Sequence, residues 1–181
     1  KVAITGWSLG GGVSLFSGWN PAIKAINPSN NFAAHLPIYP PCFVKPKNID
    51  FVNAPVHILI GELDTWTPAK ACEELVDDVL NSGKENNVGI TIYEDSHHSF
   101  DTELSETVIV DGYSFKDCMF ILNDEGVPLM NKLNIPMRSP FLQKIGFSFC
   151  ATRGPIVAGN IIAREKAFKF AKIFMSKYLL E

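Results

Sequence analysis

The chain opens on an apolar stretch that is typical of a strand inside a sheet. Residues 1–5 (KVAIT) are apolar on both faces and lead directly into a glycine-rich turn at residues 6–12. A strand without a polar face is covered on both sides and flanked by other strands. We therefore expect a further strand upstream of Lys1, so that the chain is the C-terminal part of a larger domain. The alternative is a short apolar strand at the sheet edge.

Three more apolar runs predict strands, at residues 32–39, 56–60 and 88–93. Pro37 weakens the first of them, because proline has no N–H to donate to the ladder of a central strand. A short helix is expected to start at residues 12–16, after the glycine-rich turn. Strands that alternate with helices in this way are typical of a parallel α/β sheet.

Two longer helices complete the pattern. In the first, Thr67 is expected to be the N-cap, with Pro68 in the first helical position and an end near Gly83. The second is an amphipathic helix over about residues 160–180, and Ile162 is among the residues predicted to face inward. Both helices are therefore expected to pack one face on the sheet.

The alternation of strands and helices stops between residues 102 and 159. Residues 108–113 and 120–126 instead carry the turn chemistry of β-hairpins, with Asp-Gly in the first segment and Asn-Asp-Glu-Gly in the second. We interpret residues 102–159 as a β-rich insertion before the last helix and as a candidate lid. The whole chain, residues 1–181, is then one partial domain.

Composition restricts the class of partner. With 46% hydrophobic and 19% charged residues, the 181-residue chain has the balance of a globular domain rather than of a disordered one. Its net charge of −3 does not supply the concentrated basic surface that nucleic acids require. The longest apolar runs are strand-sized, well short of the ~18 residues that cross a bilayer. We therefore expect neither a nucleic-acid partner nor a membrane span.

The turn at residues 6–10 fits the pattern G-x-S-x-G. A predicted strand precedes it and a predicted helix follows it, as a nucleophile elbow requires. Both Gly6 and Gly10 are expected to be necessary, because a side chain two residues on either side of the serine would clash in so tight a turn. Ser8 Oγ would then stand above the sheet, and the N–H of Leu9 would point at a developing oxyanion.

A serine hydroxyl needs a base to remove its proton, and the base needs a third group to orient it. On a fold with this elbow, the acid and then the histidine follow the serine, on loops after later strands. Asp64 follows the second of the three predicted strands, and His97 and His98 follow the third. Because ligands bind at the carboxyl ends of parallel strands, these residues are expected beside Ser8. Residue chemistry alone leaves both histidines open.

Other polar residues are expected to have structural roles. His35 and His57 lie within apolar strands and are predicted to be core histidines with a satisfied partner. Glu94, Asp95 and Asp101 are expected to solvate a loop. The glycine run lacks the spacing of a phosphate-binding loop, and the four cysteines lack the spacing of zinc ligands. No metal or organic cofactor is expected.

Three segments together resemble the dienelactone hydrolase family of α/β-hydrolases: residues 6–12 (GWSLGGG), 60–68 (IGELDTWTP) and 93–101 (YEDSHHSFD). The resemblance implies a three-layer α/β-hydrolase fold with a mostly parallel sheet, of which this chain is the C-terminal part. In the family pattern the catalytic base is followed by a small residue and an aromatic one, which favours His98 over His97.

The chain departs from the family in two respects. The best-known members use cysteine as the nucleophile, whereas Ser8 stands here, so the resemblance implies hydrolysis of a carboxylic ester without fixing a lactone as the substrate. The family's first strands, with a second oxyanion donor and groups that hold the substrate carboxylate, would lie upstream of Lys1. The loss of one oxyanion donor typically lowers turnover by on the order of 100-fold.

The cysteine layout resembles that of exported family members. It implies a disulfide between Cys42 and Cys72, with two free buried thiols as the alternative. Cys118 and Cys150, which are associated with the insertion, form a second candidate pair. A bridge between Cys42 and Cys72 would favour a periplasmic or secreted location, whereas free thiols would favour a cytoplasmic one.

These observations predict a serine hydrolase that cleaves a small-molecule carboxylic ester or lactone through an acyl-enzyme. Ser8 would attack, His98 would transfer the proton, Asp64 would orient the imidazole, and the Leu9 N–H would bind the oxyanion. The alternative is a non-catalytic or incomplete α/β-hydrolase module that lacks the N-terminal half of the active site. Peptide or thioester cleavage by the same triad is a third hypothesis, because substrate choice depends on the loops.

Overall fold

A computed structural model describes residues 1–26, 29–83, 88–130 and 133–180. The elements in chain order are β1 (Ala3–Trp7), α1 (Leu9–Phe16), α2 (Asn20–Ile26), β2 (Ala34–Ile38), β3 (Val44–Pro46), β4 (Val56–Gly61), α3 (Ala69–Asn81), β5 (Val88–Tyr93), β6 (Thr107–Val108), β7 (Tyr113–Ser114), β8 (Phe120–Leu122), β9 (Pro128–Leu129), α4 (Pro140–Ser148), β10 (Thr152–Arg153), β11 (Ile156–Val157) and α5 (Ile161–Leu180).

A four-stranded parallel sheet in the order β1-β2-β4-β5 forms the centre of the molecule. Successive side chains of β4 point to opposite faces, as in any strand. On one face, Ile58 lines a small apolar cavity together with Leu15 of α1 and Leu75 of α3. His57 contacts Phe170 of α5 on the other face, at 4.4 Å between ring centroids. Helices therefore cover both sides of the sheet, which confirms the predicted three-layer α/β class.

The first strand, β1, lies at an edge of the described sheet and pairs only with β2. Its flanking residue Val2 is 65% exposed and its last residue, Trp7, is 43% exposed. Ala3 and Ile4 are half-buried and Thr5 is exposed, and a further strand upstream of Lys1 stays a prediction. The helix after it begins at Leu9 rather than at residue 12, because the glycine-rich turn is itself helical.

Pro37 lies inside β2, between β1 and β4, although the sequence suggested that proline would weaken a central strand. His35 N–H donates to the Pro55 carbonyl and Tyr39 N–H donates to the Leu59 carbonyl, so both point towards β4. Pro37 occupies the position between them, where an N–H would also face β4, and the ladder has no residue pair there. The fully buried strand tolerates the proline by giving up one hydrogen bond.

The predicted N-cap of the next helix is wrong. Pro68 precedes the first residue of α3 and makes no side-chain cap bond, and the Thr67 hydroxyl binds the Asp64 carboxylate instead. The predicted end is confirmed. Gly83 has a φ of +74°, a left-handed conformation that glycine adopts without a steric penalty.

The segment 102–159 is rich in short strands, as predicted, but only one of its two expected hairpins is formed. Strands β8 and β9 pair antiparallel around the turn at Asn123. In contrast, β6 and β7 do not pair with each other. A turn closes between Ile109 and Gly112, yet β6 pairs with β11 and β7 pairs with β10. Two-residue strands carry little local information about register, so the partner is chosen by the tertiary structure.

Two disulfides are present. Cys42–Cys72 confirms the pairing that the family resemblance implied, and Cys118–Cys150 confirms the second candidate pair. The first joins the loop after β2 to the first turn of α3. The second joins two parts of the segment 102–159. The segment is further attached to the sheet domain because β8 pairs in parallel with β3 and Phe115 stacks on Phe43.

The last helix, α5, is capped by Asn160, whose Oδ1 accepts hydrogen bonds from the N–H groups of Ile162 and Ala163. Ala163, not Ile162, is the first buried residue of the helix, and Ile162 is 62% exposed. The prediction for Ile162 is therefore wrong, whereas the predicted inward residues Ala167 and Phe174 are buried. No helix in the described part of the chain combines the length and the apolar character of a transmembrane segment.

Candidate active site

Ser8 lies in the sharp turn between β1 and α1. Its φ of 53° and ψ of −116° are strained for a residue with a side chain. Gly6 is required there, since a Cβ on it would lie 2.2 Å from the Gly10 carbonyl oxygen. The expectation that Gly10 is equally required is wrong, because a Cβ at Gly10 would meet open space. Gly11 is the second tight position, at 2.5 Å from the Ile38 carbonyl oxygen.

The three residues predicted to react are joined by hydrogen bonds. Ser8 Oγ lies 3.0 Å from His98 Nε2, and His98 Nδ1 lies 2.7 Å from Asp64 Oδ2. A carboxylate only accepts hydrogen bonds, so Nδ1 carries the ring proton and Nε2 is free to accept from Ser8. His98 and Asp64 are buried, each at 3% exposure, whereas Ser8 is partly exposed. His97, the other candidate base, makes none of these contacts among the described residues.

Four donors converge on the Asp64 carboxylate. Oδ1 accepts from the N–H groups of Trp66 and Thr67, both at 2.8 Å. Oδ2 accepts from the Thr67 hydroxyl at 2.8 Å and from His98 Nδ1. With about four lone-pair sites available, the carboxylate is saturated. Its orientation is therefore fixed by its own loop before any substrate binds.

The loops that carry Asp64 and His98 approach each other closely. Leu63 N–H donates to the Ser96 carbonyl at 2.9 Å. A Cβ on Gly61 would lie 2.2 Å from the same Ser96 oxygen, so only glycine permits this approach. In the sequence, Gly61 is visible as a glycine directly after a predicted strand. The Ser96 carbonyl, which makes glycine necessary there, could not be identified from the sequence.

Two aromatic side chains hold the His98 ring. Tyr39 lies 4.5 Å from it and Trp66 lies 5.1 Å from it, between ring centroids. Tyr39 is itself in the left-handed region, with a φ of 37°, directly after β2. Burial, and then the nearby Asp101 carboxylate, raise the pKa of Tyr39 well above its usual value, so the phenol stays protonated.

Asp101 was expected to solvate its loop, and this prediction is wrong. It accepts a hydrogen bond from Trp7 Nε1 at 2.6 Å and another from the Tyr39 hydroxyl at 2.8 Å. The sequence could not reveal this role, because the two donors lie 94 and 62 residues away along the chain. Glu94 and Asp95 are exposed, as expected.

The N–H of Leu9 begins α1, directly after Ser8. The first amides of a helix have no intrahelical acceptor, and the helix dipole favours negative charge at this end. The Leu9 side chain itself is exposed. The role of the Leu9 N–H as oxyanion donor stays a prediction.

The remaining histidines lie inside the fold. His35 is fully buried and its Nδ1 lies 2.9 Å from the Ser14 carbonyl oxygen. His57 is partly buried and its Nε2 lies 2.9 Å from Thr91 Oγ1. Burial lowers the pKa of both, that of His57 to about 4. Within the described residues, no three histidine, cysteine or acidic side chains cluster as metal ligands.

Comparison with known proteins identifies the family of this chain. Residues 1–117, more than half of the chain, match the dienelactone hydrolase family. The chain belongs to the dienelactone hydrolase family. This match covers β1 to β7 and therefore includes Ser8, Asp64 and His98.

Solved structures give more distant likenesses. Esterase PE8 is 19% identical, with a TM-score of 0.41 over 53% of this chain and 41% of its own. The apo form of Thermogutta terrifontis esterase 2 is 16% identical, with a TM-score of 0.45 over 55% of this chain and 46% of its own. The chain thus spans less than half the length of either structure. No curated protein matches the sequence significantly.

Proposed function

We propose that the chain contains a serine hydrolase site that cleaves a small-molecule carboxylic ester or lactone through an acyl-enzyme. The observation that carries this proposal is the chain of hydrogen bonds from Ser8 through His98 to Asp64, at 3.0 and 2.7 Å. A hydroxyl beside an imidazole, whose other nitrogen binds a buried carboxylate, is the arrangement that activates a serine nucleophile. Membership of a family of hydrolases supports the same reaction class.

In the first half-reaction, Ser8 Oγ bonds to the carbonyl carbon while His98 Nε2 takes the hydroxyl proton. The carbonyl π electrons move to oxygen, where the Leu9 N–H donates to the oxyanion. When the tetrahedral intermediate collapses, the bond to the leaving alcohol oxygen breaks and His98 returns the proton to it. Asp64 keeps the imidazole in the required tautomer and stabilises its positive charge.

In the second half-reaction, water takes the place of the alcohol. His98 accepts a proton from water as it attacks the acyl carbon, and the Ser8 ester bond breaks with return of that proton to Oγ. The carboxylic acid leaves and the serine is regenerated. The His98 imidazole carries the proton in both half-reactions, so neither half-reaction needs a second proton carrier.

We also propose that residues 102–159 belong to the same domain and border this site. Support comes from Thr65, the residue after Asp64, whose carbonyl accepts hydrogen bonds from Phe115 N–H at 3.1 Å and from Ser114 Oγ at 2.8 Å. The segment therefore contacts the loop that carries the acid. Such a segment can limit the size of the alcohol or acyl group that reaches Ser8.

The test compares Ser8→Ala, His98→Ala and His97→Ala in hydrolysis of p-nitrophenyl acetate. Loss of Ser8 or His98 is expected to lower kcat by about 10⁴-fold or more, whereas His97→Ala retains most of the activity. A fluorophosphonate probe should label the wild-type protein and His97→Ala but not Ser8→Ala. Labelling that persists in Ser8→Ala would overturn the proposal.

The alternative to this proposal is an incomplete or non-catalytic α/β-hydrolase module. It predicts that the folded wild-type protein neither hydrolyses the ester nor reacts with the probe. Thioester or peptide cleavage predicts probe labelling with turnover of those substrates in place of oxygen esters. A panel of the three substrate classes separates these results.

A further inference from the structure

Asp101 connects two aromatic side chains on different strands. Its Oδ2 accepts from the Trp7 indole N–H at 2.6 Å, and its Oδ1 accepts from the Tyr39 hydroxyl at 2.8 Å. Hydrogen bonds to an ionised acceptor are shorter and stronger than those between neutral groups. Trp7 ends β1 and Tyr39 follows β2, while Asp101 itself lies in the loop after β5. The carboxylate therefore joins three segments of the chain.

Each of the three segments carries a part of the proposed site. Trp7 immediately precedes Ser8. The Tyr39 ring lies 4.5 Å from the His98 ring, and its carbonyl accepts from the Thr67 hydroxyl at 3.1 Å. Asp101 is three residues from His98, yet it makes no hydrogen bond to Ser8 or His98 among the described residues. Any influence that it has on the reaction acts through the two aromatic side chains.

Both segments that Asp101 holds are strained. Ser8 has a φ of 53° and Tyr39 a φ of 37°, a region that residues with side chains rarely occupy. Such conformations persist only where surrounding contacts enforce them. The Asp101 bonds lie one residue from the first strained position and at the side chain of the second. They are placed to hold Ser8, the nucleophile, and the Tyr39 ring, which packs beside His98, in fixed positions relative to each other.

We propose that Asp101 is a positioning residue of the hydrolase site, which holds Trp7 and Tyr39 so that Ser8 and His98 stay within proton-transfer distance. The inference rests on the proposed hydrolase function. A displacement of about 1 Å from the reactive geometry can lower turnover by about 100-fold. The role requires an acceptor for the indole, which can only donate, and a partner for the phenol, which can donate or accept.

That difference between the two donors gives a sharp test. In Asp101→Asn, the amide oxygen can accept from Trp7 and the amide N–H₂ can donate to the Tyr39 oxygen, so both contacts survive without the charge. In Asp101→Ala, both are lost. Glu94→Ala is the matched control, because this exposed carboxylate lies in the same loop. For each variant, kcat and KM for p-nitrophenyl acetate are measured with the thermal unfolding midpoint.

We expect Asp101→Ala to lower kcat by about 10- to 100-fold with KM within about threefold of wild type. Asp101→Asn should recover kcat to within about threefold, and Glu94→Ala should match wild type. A kcat for Asp101→Ala equal to that of wild type would overturn the proposal. So would an Asn variant as impaired as the Ala variant, because the charge rather than the contacts would then matter.

A double-mutant cycle keeps the proposal testable if Asp101→Ala does not fold. Tyr39→Phe removes the hydroxyl and Trp7→Phe removes the indole N–H, and each should lower kcat. Combining Trp7→Phe with Tyr39→Phe should lower kcat by less than the product of the two single effects, because both changes remove donors to the same Asp101 carboxylate. Full additivity would contradict a shared role. If Ser8→Ala is inactive while all Asp101 variants behave as wild type, only this inference fails; if Ser8→Ala retains activity, the proposed function itself fails.

Discussion

The Thr67 hydroxyl lies 2.8 Å from Asp64 Oδ2, and the same carboxylate oxygen also binds His98 Nδ1. It is 3.1 Å from His98 Nδ1 as well, so it stands where the carboxylate and the imidazole meet. The sequence pattern Thr-Pro suggested a helix cap, and the hydroxyl acts instead on the residue that would orient the base. Thr67 is thus an orienting group for Asp64 in the proposed triad.

Replacement of Thr67 tests this relationship. Thr67→Val keeps the volume but removes one donor from Asp64, and a hydrogen bond to a charged group contributes about 1.5–3 kcal/mol. We expect kcat/KM for p-nitrophenyl acetate to fall by about 10- to 100-fold, the same free energy expressed as a rate. Thr67→Ser retains the hydroxyl and should stay near the wild-type value. Equal activity of the Val and Ser variants would contradict the role.

The two outer glycines of the elbow should behave differently. Gly6→Ala would force a Cβ to 2.2 Å from the Gly10 carbonyl oxygen, so we expect loss of activity and of stability. At Gly10 the added methyl meets open space, and alanine favours a helix by about 1 kcal/mol over glycine. Gly10→Ala should therefore be at least as stable as wild type. Urea denaturation and esterase assays check both variants. An unfolded Gly10→Ala protein would contradict the expectation that the open space around Gly10 accommodates a methyl group.

Asn160 couples α5 to the loop that carries His98. Its Oδ1 caps the helix, and its Nδ2 donates to the Asp95 carbonyl and to Ser96 Oγ. Asn160→Ala should lower the free energy of unfolding by about 1–2 kcal/mol through the lost cap. It should also lower kcat, because the histidine loop loses its attachment.

Ser139→Ala provides the matched control for that experiment. Ser139 caps α4 in a similar way, with its hydroxyl accepting from the Leu142 N–H, and within the described ranges its side chain shows no hydrogen bond to the histidine loop. We expect a comparable loss of stability with unchanged kcat. A loss of kcat in both variants would attribute the Asn160 effect to global destabilisation.

His57 should make the stability depend on pH. Burial lowers the pKa of His57 in the folded protein to about 4, against an ordinary value of 6.5. The unfolded chain then binds a proton that the folded chain does not, so stability is complete above pH 6.5 and falls as the pH falls from 6.5 towards 4. The loss is on the order of 1–2 kcal/mol once solvent screening of this partly exposed ring is allowed for.

The measurement is the urea midpoint between pH 7.5 and 4.5. His57→Phe, which can still pack on Phe170, should flatten the profile. A residual slope is expected from His35, since burial lowers its pKa as well. An identical profile for wild type and His57→Phe would show that His57 titrates alike in the folded and unfolded states.

The sequence was sufficient for features that depend on local pattern. Strands β4 and β5 are rich in valine, isoleucine and leucine, and their predicted limits agree with the structure to within one residue. Gly6 and Ser8 form an elbow within five residues, so its geometry is encoded locally. Asp64 and the pair His97 and His98 follow from the rule that parallel strands present their carboxyl ends at one edge, and the family resemblance favoured His98.

Features that depend on distant contacts could not be predicted in this way. The turn at Ile109 to Gly112 resembles a hairpin, but strands more than 40 residues later supply the pairing. Asp101 resembles any loop carboxylate until residues 7 and 39 are placed beside it. Thr67 fits the sequence rule for a helix N-cap, but its hydroxyl binds the Asp64 carboxylate instead. Distant partners outweighed the local preference at Asp101 and at the 109–112 turn, whereas at Thr67 the competing partner is Asp64, three residues away in the same loop.

The double acceptor role of the Thr65 carbonyl sets a condition for re-engineering this protein. A graft that replaces residues 102–159 with the loops of another hydrolase would remove the Ser114 and Phe115 donors in one step. The Thr65 carbonyl, one residue after Asp64, would then lose both of its hydrogen-bond donors. Exchangeable specificity modules on this scaffold must therefore reproduce two donors at that point, whatever substrate they are chosen to admit.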